Sequence, residues 1–179
     1  MKKIKLCLIA FFAIVFASMS CAFVATSVKH AEAATENEVK VLKSEVFAMD
    51  DSGLTLRTND NVGIRFKVKM SKNLGVKIKG IEDVSLKFLI APRVVVDSVN
   101  GDYSQLVTAA ENATEGQPAL ARISVADKTK MYEDGGYYWA SLVIAKTTGT
   151  NIKLDMNVVA YITYTDENNK AQTRYATTN

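Results

Sequence analysis

The chain has 179 residues, and at roughly 150 residues per domain that length corresponds to one domain with an extension. Both cysteines, Cys7 and Cys21, and the single histidine, His30, fall within the first 33 residues. The remainder therefore has no Ser-His-Asp or Cys-His nucleophile, no thiolate chemistry and no ordinary zinc, copper or haem ligation, and no cofactor is expected. The +3 net charge also lies in the first 33 residues, while the other 146 carry 18 basic and 18 acidic side chains. A neutral chain lacks the concentrated positive field that non-specific binding to nucleic acid or anionic lipid requires, so no nucleic-acid partner is expected.

Lys2, Lys3 and Lys5 precede an uncharged, largely apolar run from Leu6 to Val28, and Ala31-Glu32-Ala33 supplies small residues for a signal peptidase. Residues 1–33 read as a signal peptide cut before Ala34. The run of 23 residues is also long enough to span a bilayer, so an uncleaved anchor is the alternative, and membrane contact is expected only through this segment. Acylation at Cys21 is a third reading. It is disfavoured because Ala17-Ser18-Met19-Ser20 lacks the usual leucine and no polar tether follows. All three place the domain outside the cytoplasm, secreted or at the cell surface.

Residues 34–40 are small or charged without an apolar period and read as a disordered lead, followed by a single domain over 41–179. Asp50-Asp51-Ser52-Gly53 is a turn before the short run Leu54-Thr55-Leu56, and Asp60-Asn61 separates that run from the next strand, a hairpin pattern. Val62, Ile64, Phe66, Val68 and Met70 alternate with Gly63, Arg65, Lys67 and Lys69, which predicts a strand with one apolar and one cationic face. Val84 to Ile90 repeats the pattern, and Pro92 disfavours regular pairing beyond it. Tyr103 to Asn112 is the one segment with helical spacing, through Leu106, Ala109 and Ala110. Glu133-Asp134-Gly135-Gly136 leads into a strand from Tyr137 to Ala145. The alternation from Ile152 to Tyr164 is the longest in the chain and predicts a central strand, bent or bulged midway given its length. Asp166-Glu167-Asn168-Asn169 then turns into Ala171 to Ala176, with Asn suited to positive φ. Many short antiparallel strands and only two prolines predict an all-β fold, an antiparallel β-sandwich of immunoglobulin-like or jelly-roll-like type with at most one short helix.

Ser52-Gly-Leu-Thr-Leu-Arg57 followed by Asn61-Val-Gly-Ile-Arg-Phe-Lys67, with Tyr137 to Val143 and Asn157 to Tyr164, resembles a module of secreted and surface proteins of Gram-positive bacteria that carries a Gly-Ile/Leu-Arg-Phe strand. The similarity spans about residues 45 to 176. It implies an extracellular β-sandwich module and brings no catalytic residues with it.

Several groups are candidates for chemistry. Arg65 has the bidentate geometry to meet a carboxylate or an anionic sugar, although its expected role is structural, covering the outer sheet face and pairing with a cross-strand acid. Tyr132, Tyr137, Tyr138 and Trp139 form the aromatic cluster beside Glu133 and Asp134, the best candidate for a carbohydrate platform. Within it Trp139 is expected in the core, and Tyr132 and Tyr138 at the surface. Asp50 with Asp51, Asp97 with Asp102, and Asp166 with Glu167 are the acidic pairs a calcium ion would need, yet none completes a calcium loop, and no metal site is predicted. The basic run Lys67, Lys69, Lys72, Lys77 and Lys79 reads as a solvated strand face that also suits polymers bearing phosphate or carboxylate.

The leading expectation is a non-catalytic binding module for a cell-wall or environmental glycan or an extracellular protein, with Tyr132 and Tyr138 stacking and Asp134 or Arg65 making the polar contact. A structural protein that assembles through sheet edges is the first alternative. A small two-carboxylate glycosidase is the second.

Overall fold

A computed structural model describes residues 36–50, 55–57, 63–113, 121–145 and 155–178 of the chain. All of them belong to one compact unit, Ala33–Asn179. The expected signal segment, the turn residues Asp51 to Gly53 and Asp60-Asn61, and the start of the long alternation at Ile152 to Leu154 lie outside the described residues. In chain order the elements are α1 (Glu36–Ser44), β1 (Phe47–Met49), β2 (Thr55–Arg57), β3 (Gly63–Ser71), α2 (Lys72–Gly80), β4 (Ser85–Pro92), α3 (Arg93–Ser98) and α4 (Tyr103–Glu111). There follow β5 (Arg122–Val125), a 3₁₀ turn (Lys128–Lys130), β6 (Tyr132–Asp134), β7 (Tyr137–Ala145), β8 (Met156–Thr165) and β9 (Ala171–Tyr175).

The strands form two antiparallel sheets. Sheet A has the order β1-β3-β7-β6, with β2 also paired to β3, and sheet B has the order β5-β4-β8-β9. Alternation decides which side chains meet between them. Phe66, Val68 and Met70 of β3, with Ala140, Leu142 and Ile144 of β7, share one core with Leu86, Phe88 and Ile90 of β4 and Val158, Ala160, Ile162 and Tyr164 of β8. The opposite face of sheet B holds Leu89, Ala91, Val159 and Tyr161, which form a second core with Val96 of α3 and Leu106 of α4. The expected central strand is β8, which pairs with β4 and β9. Its register against both is unbroken, so the midway bulge is absent over its described length.

Among the described residues four α-helices stand where at most one was expected. The predicted helix is α4, with Asp102 as its N-cap accepting the Ser104 N–H at 3.0 Å. Helix α1 replaces most of the expected disordered lead. Val39 and Leu42, three residues apart, are buried together, acids occupy its first turn and Lys43 its last, matching the helix dipole. Arg174 of β9 caps its C-terminal end, donating to the Leu42 carbonyl at 2.6 Å and to the Glu45 carbonyl. Helix α2 takes up half of the lysine run. Ser71 Oγ accepts the Leu74 N–H at its start, and Leu74 and Ile78, four residues apart, are buried. Helix α3 follows Pro92 at its N-cap, so the proline starts a helix where it ends strand β4.

Turn chemistry matches expectation at both described hairpins. Gly135 and Gly136, at φ 58° and 81°, form the two-residue β6–β7 connection, which needs positive φ at both positions. Asn169 sits at φ 59° in the β8–β9 turn. There the buried Asp166 accepts the N–H groups of Asn168 and Lys170 and the amide of Gln172, and these hydrogen bonds, led by that from Lys170, hold its carboxyl below the usual range. Beyond β9 the chain crosses to sheet A. Thr177 N–H donates to the Phe47 carbonyl at 3.0 Å and its own carbonyl accepts from Met49 N–H at 2.9 Å, so one edge of the two sheets is stitched together.

Gly75 of α2 lies against Tyr138, where an added Cβ would stand 2.3 Å from the tyrosine Cβ. That atom is tied to the backbone and cannot rotate away. Alanine in a helix interior gains about 0.8–1.0 kcal/mol over glycine, whereas overpacking a filled site costs about 1–3 kcal/mol. So close an approach to an atom that cannot move puts the cost in the upper half of that range, so we predict that Gly75→Ala lowers the urea midpoint at unchanged denaturant slope, a net loss of about 1–2 kcal/mol. A variant as stable as the parent would contradict this packing.

Candidate ligand-binding face

Sheet B is covered on both sides, by sheet A and by α3 and α4. The outer face of sheet A has no such cover among the described residues. The register of β3, β7 and β6 sets what this face presents. Lys69, Trp139 and Tyr132 form one row across three strands, Ser71, Tyr137 and Asp134 the next, and Lys67 with Ser141 and Arg65 with Val143 continue it in the other direction.

Two rings on this face carry an ammonium group over them. Lys67 Nζ lies 5.1 Å from the centroid of Trp139 and Lys69 Nζ 5.6 Å from that of Tyr137. At an exposed site such contacts contribute about 0.5–1 kcal/mol, little enough for a ligand to replace. Trp139 is half-buried, and its indole N–H donates to the Asp134 carbonyl at 3.1 Å, which fixes the ring across the β6–β7 hairpin. Tyr132 and Tyr137 are 45% and 38% exposed, the two most open aromatic side chains described.

The cations on the face differ in how they are held. Lys67 forms an ion pair with Asp50 at 2.6 Å, with both side chains largely shielded. On the opposite side of β6, Lys72, at the start of α2, pairs with Glu133 at 2.8 Å, and this bond raises its pKa. Lys69 has no ion pair among the described residues. Arg65 faces Thr55 and Val143 across the strands, so the expected cross-strand acid is absent, and its buried Nε finds no hydrogen-bond acceptor among the described residues.

The structure redistributes the aromatic candidates. Tyr132 is exposed as expected, and Asp134 lies beside it at the exposed end of β6. Tyr138 is not with them: it points to the opposite face, against Gly75 and the inter-sheet core, with Lys79 Nζ 5.9 Å from its ring. Trp139, expected in the core, belongs to the outer face together with Tyr137. Alternation already separated Tyr138 from its two neighbours. The neighbour that decides which side is inward is Ala140, which is buried beside Val68 and so pulls Tyr138 in with it.

The acidic pairs are occupied by local structure. Asp102 and Asp166 accept hydrogen bonds from turn and cap groups, which lower the pKa of each, Asp97 pairs with Arg93 at 3.7 Å, and Asp51 lies outside the described residues. Among the described residues no group of three His, Cys, Asp or Glu side chains gathers as a metal site would require. A pocket of about 240 Å³ opens where β1 and β3 meet the start of β8, lined by Met49, Asp50, Phe66, Lys67, Met156, Asn157, Val158 and Thr178. It is smaller than the roughly 300–1,000 Å³ of usual small-molecule sites. No described helix is long and apolar enough to cross a membrane. Comparison of the chain with protein-family models, with curated proteins and with solved structures found no match.

Trp139 is the only tryptophan of the chain, so its fluorescence reports on this face alone. Acrylamide is expected to quench it in the native protein, and Lys67→Met to change its emission while leaving the unfolding transition cooperative. Emission shielded from the quencher until the protein unfolds would place the ring in the core instead.

Proposed function

We propose that this protein is a secreted or surface-held, non-catalytic module that binds an extracellular glycan on the outer face of sheet A. The observation that carries this reading is the row of Tyr132 and Trp139 with Tyr137 beside them, left open on a flat sheet whose other surfaces are packed. Sugar rings present C–H faces that stack on such side chains, while hydroxyl groups take hydrogen bonds from and to charged neighbours such as Asp134 and Lys69. Placement on paired strands holds the rings in position before any ligand arrives, which limits the ordering cost of binding.

Export is part of the same reading, supported by the basic and apolar amino-terminal segment and by the Gly63-Ile64-Arg65-Phe66 strand of the resemblance. So is the architecture: the core shared by the facing sides of the two sheets supports a β-sandwich, to which α3 and α4 add a third layer. The glycosidase alternative gains no support from Asp50, Asp97, Asp102, Asp127, Glu133 and Asp166, which cap helices, close turns or pair with lysine and arginine.

Retention of the purified protein on insoluble polysaccharides and wall sacculi tests the reading. Tyr132→Ala with Trp139→Ala is expected to reduce retention at least tenfold without lowering the unfolding midpoint by more than a few degrees, because both rings stand outside the core. Tyr138→Ala is expected to act through stability instead. Retention unchanged by the outer-face pair would remove this face as the site.

A further inference from the structure

The next step rests on the reading of sheet A as a glycan-binding face and concerns the class of glycan. We propose that the ligand is a polysaccharide whose sugar rings carry carboxylates, a polyuronate.

The rings and the cations of this face are not separable. Trp139 and Tyr137 each lie under a lysine ammonium, so a neutral sugar that stacks on either ring must push a cation aside and returns only hydroxyl hydrogen bonds, with no counter-charge. A sugar bearing a carboxylate over Tyr137 keeps the Lys69 ammonium as its counter-charge while its C–H face reaches the ring edge and Tyr132. Charge on the face is also unevenly matched. Asp50 neutralises Lys67 and Asp134 is the face's other acid, in no ion pair among the described residues, while Lys69 has no acidic partner there and neither has Arg65, whose buried Nε lacks even a neutral acceptor among the described residues. A guanidinium so placed has the planar fork that matches a carboxylate, and an arriving carboxylate would supply the missing counter-charge.

Spacing points the same way. Arg65, Lys67 and Lys69 stand two residues apart on β3, so roughly 6.6–6.8 Å separates one from the next. Trp139 and Tyr137 stand two residues apart on β7, one strand step of about 4.8 Å away, so the line of rings runs alongside the line of charges. A ligand that repeats both a ring and a charge can meet both lines at once. A polyol phosphate has the charges without ring faces, and a neutral glucan has ring faces without charge; a polyuronate has both in every residue.

Affinity electrophoresis of the full chain through gels containing polygalacturonate, its fully methyl-esterified form or polyglycerol phosphate separates the outcomes. The free acid is expected to retard the protein at least tenfold more strongly than the methyl ester or the polyol phosphate, with an affinity that falls as salt is added. Lys69→Gln, a change on the solvent side of β3, and separately Arg65→Gln, are each expected to weaken binding to the acid about three- to tenfold and so to narrow its advantage over the ester. Equal retardation by acid and ester would overturn the polyuronate assignment while leaving the glycan-binding face intact. Retardation by polyglycerol phosphate as strong as by the acid would show that charge alone is read and would also overturn it. No retardation by any of the three, together with no retention on insoluble polysaccharides, would overturn the glycan reading itself.

Discussion

The arrangement of this domain follows from strand β8, which is paired on both edges and buried on both faces. Val158, Ala160, Ile162 and Tyr164 point into the core between the sheets, and Val159 and Tyr161 into the core beneath α3 and α4. A strand held on four sides fixes the layers around it: sheet A on one face, helices on the other, β4 and β9 along its edges. Full burial of one large apolar side chain contributes about 1.5–3 kcal/mol, and β8 carries several. Tyr161 shows how completely the outer core is closed, since desolvation raises its hydroxyl pKa and the buried oxygen has no hydrogen-bond partner among the described residues. With both faces of sheet B committed, the outer face of sheet A is the sheet face left uncovered among the described residues.

The two ends of the described chain complete this frame. Arg174 of β9 reaches from sheet B to the carbonyls at the end of α1 and lies 5.7 Å from the centroid of Phe47. Thr177 bonds to β1 on sheet A. Cation capping of a helix C-terminus adds to these backbone bonds. Neither tie depends on a disulfide, in keeping with a domain that has no cysteine, and both hold sheet A against sheet B at the edge opposite β6. The outer face of sheet A is thereby tied down where β1 and β3 meet, and it ends at the three-residue edge strand that carries Tyr132.

Much of the sheet architecture was legible in the sequence, because period two survives wherever one strand face meets a core. The strands at Gly63–Ser71, Ser85–Pro92, Tyr137–Ala145 and Met156–Thr165, the hairpin turn at Asn169 and the helix at Tyr103 follow directly from pattern and turn chemistry. Three helices were not legible, for separate reasons. In α1 the apolar positions are Val39, Val41 and Leu42, and the four charged residues among them hide the pattern. In α2 two glycines and three lysines mask the Leu74–Ile78 spacing, although Ser71 ahead of it is a serviceable N-cap. In α3 the run Val94-Val95-Val96 favours a strand locally, and burial of Val96 against sheet B overrides that preference. The aromatic candidates were found as a group, but which of them faced outward turned on a single residue, Ala140, whose small side chain gave no signal that it was core.

The central claim is that one face of this domain is reserved for an external ligand and that its lysines take part. Lysine acetylation read by mass spectrometry, with and without polygalacturonate, tests that most directly. The account predicts that ligand protects Lys67 and Lys69 on the outer face of sheet A and leaves Lys87 and Lys128, on sheet B and the 3₁₀ turn, labelled as before. Protection that falls on Lys87 or Lys128 while Lys67 and Lys69 remain reactive would contradict it.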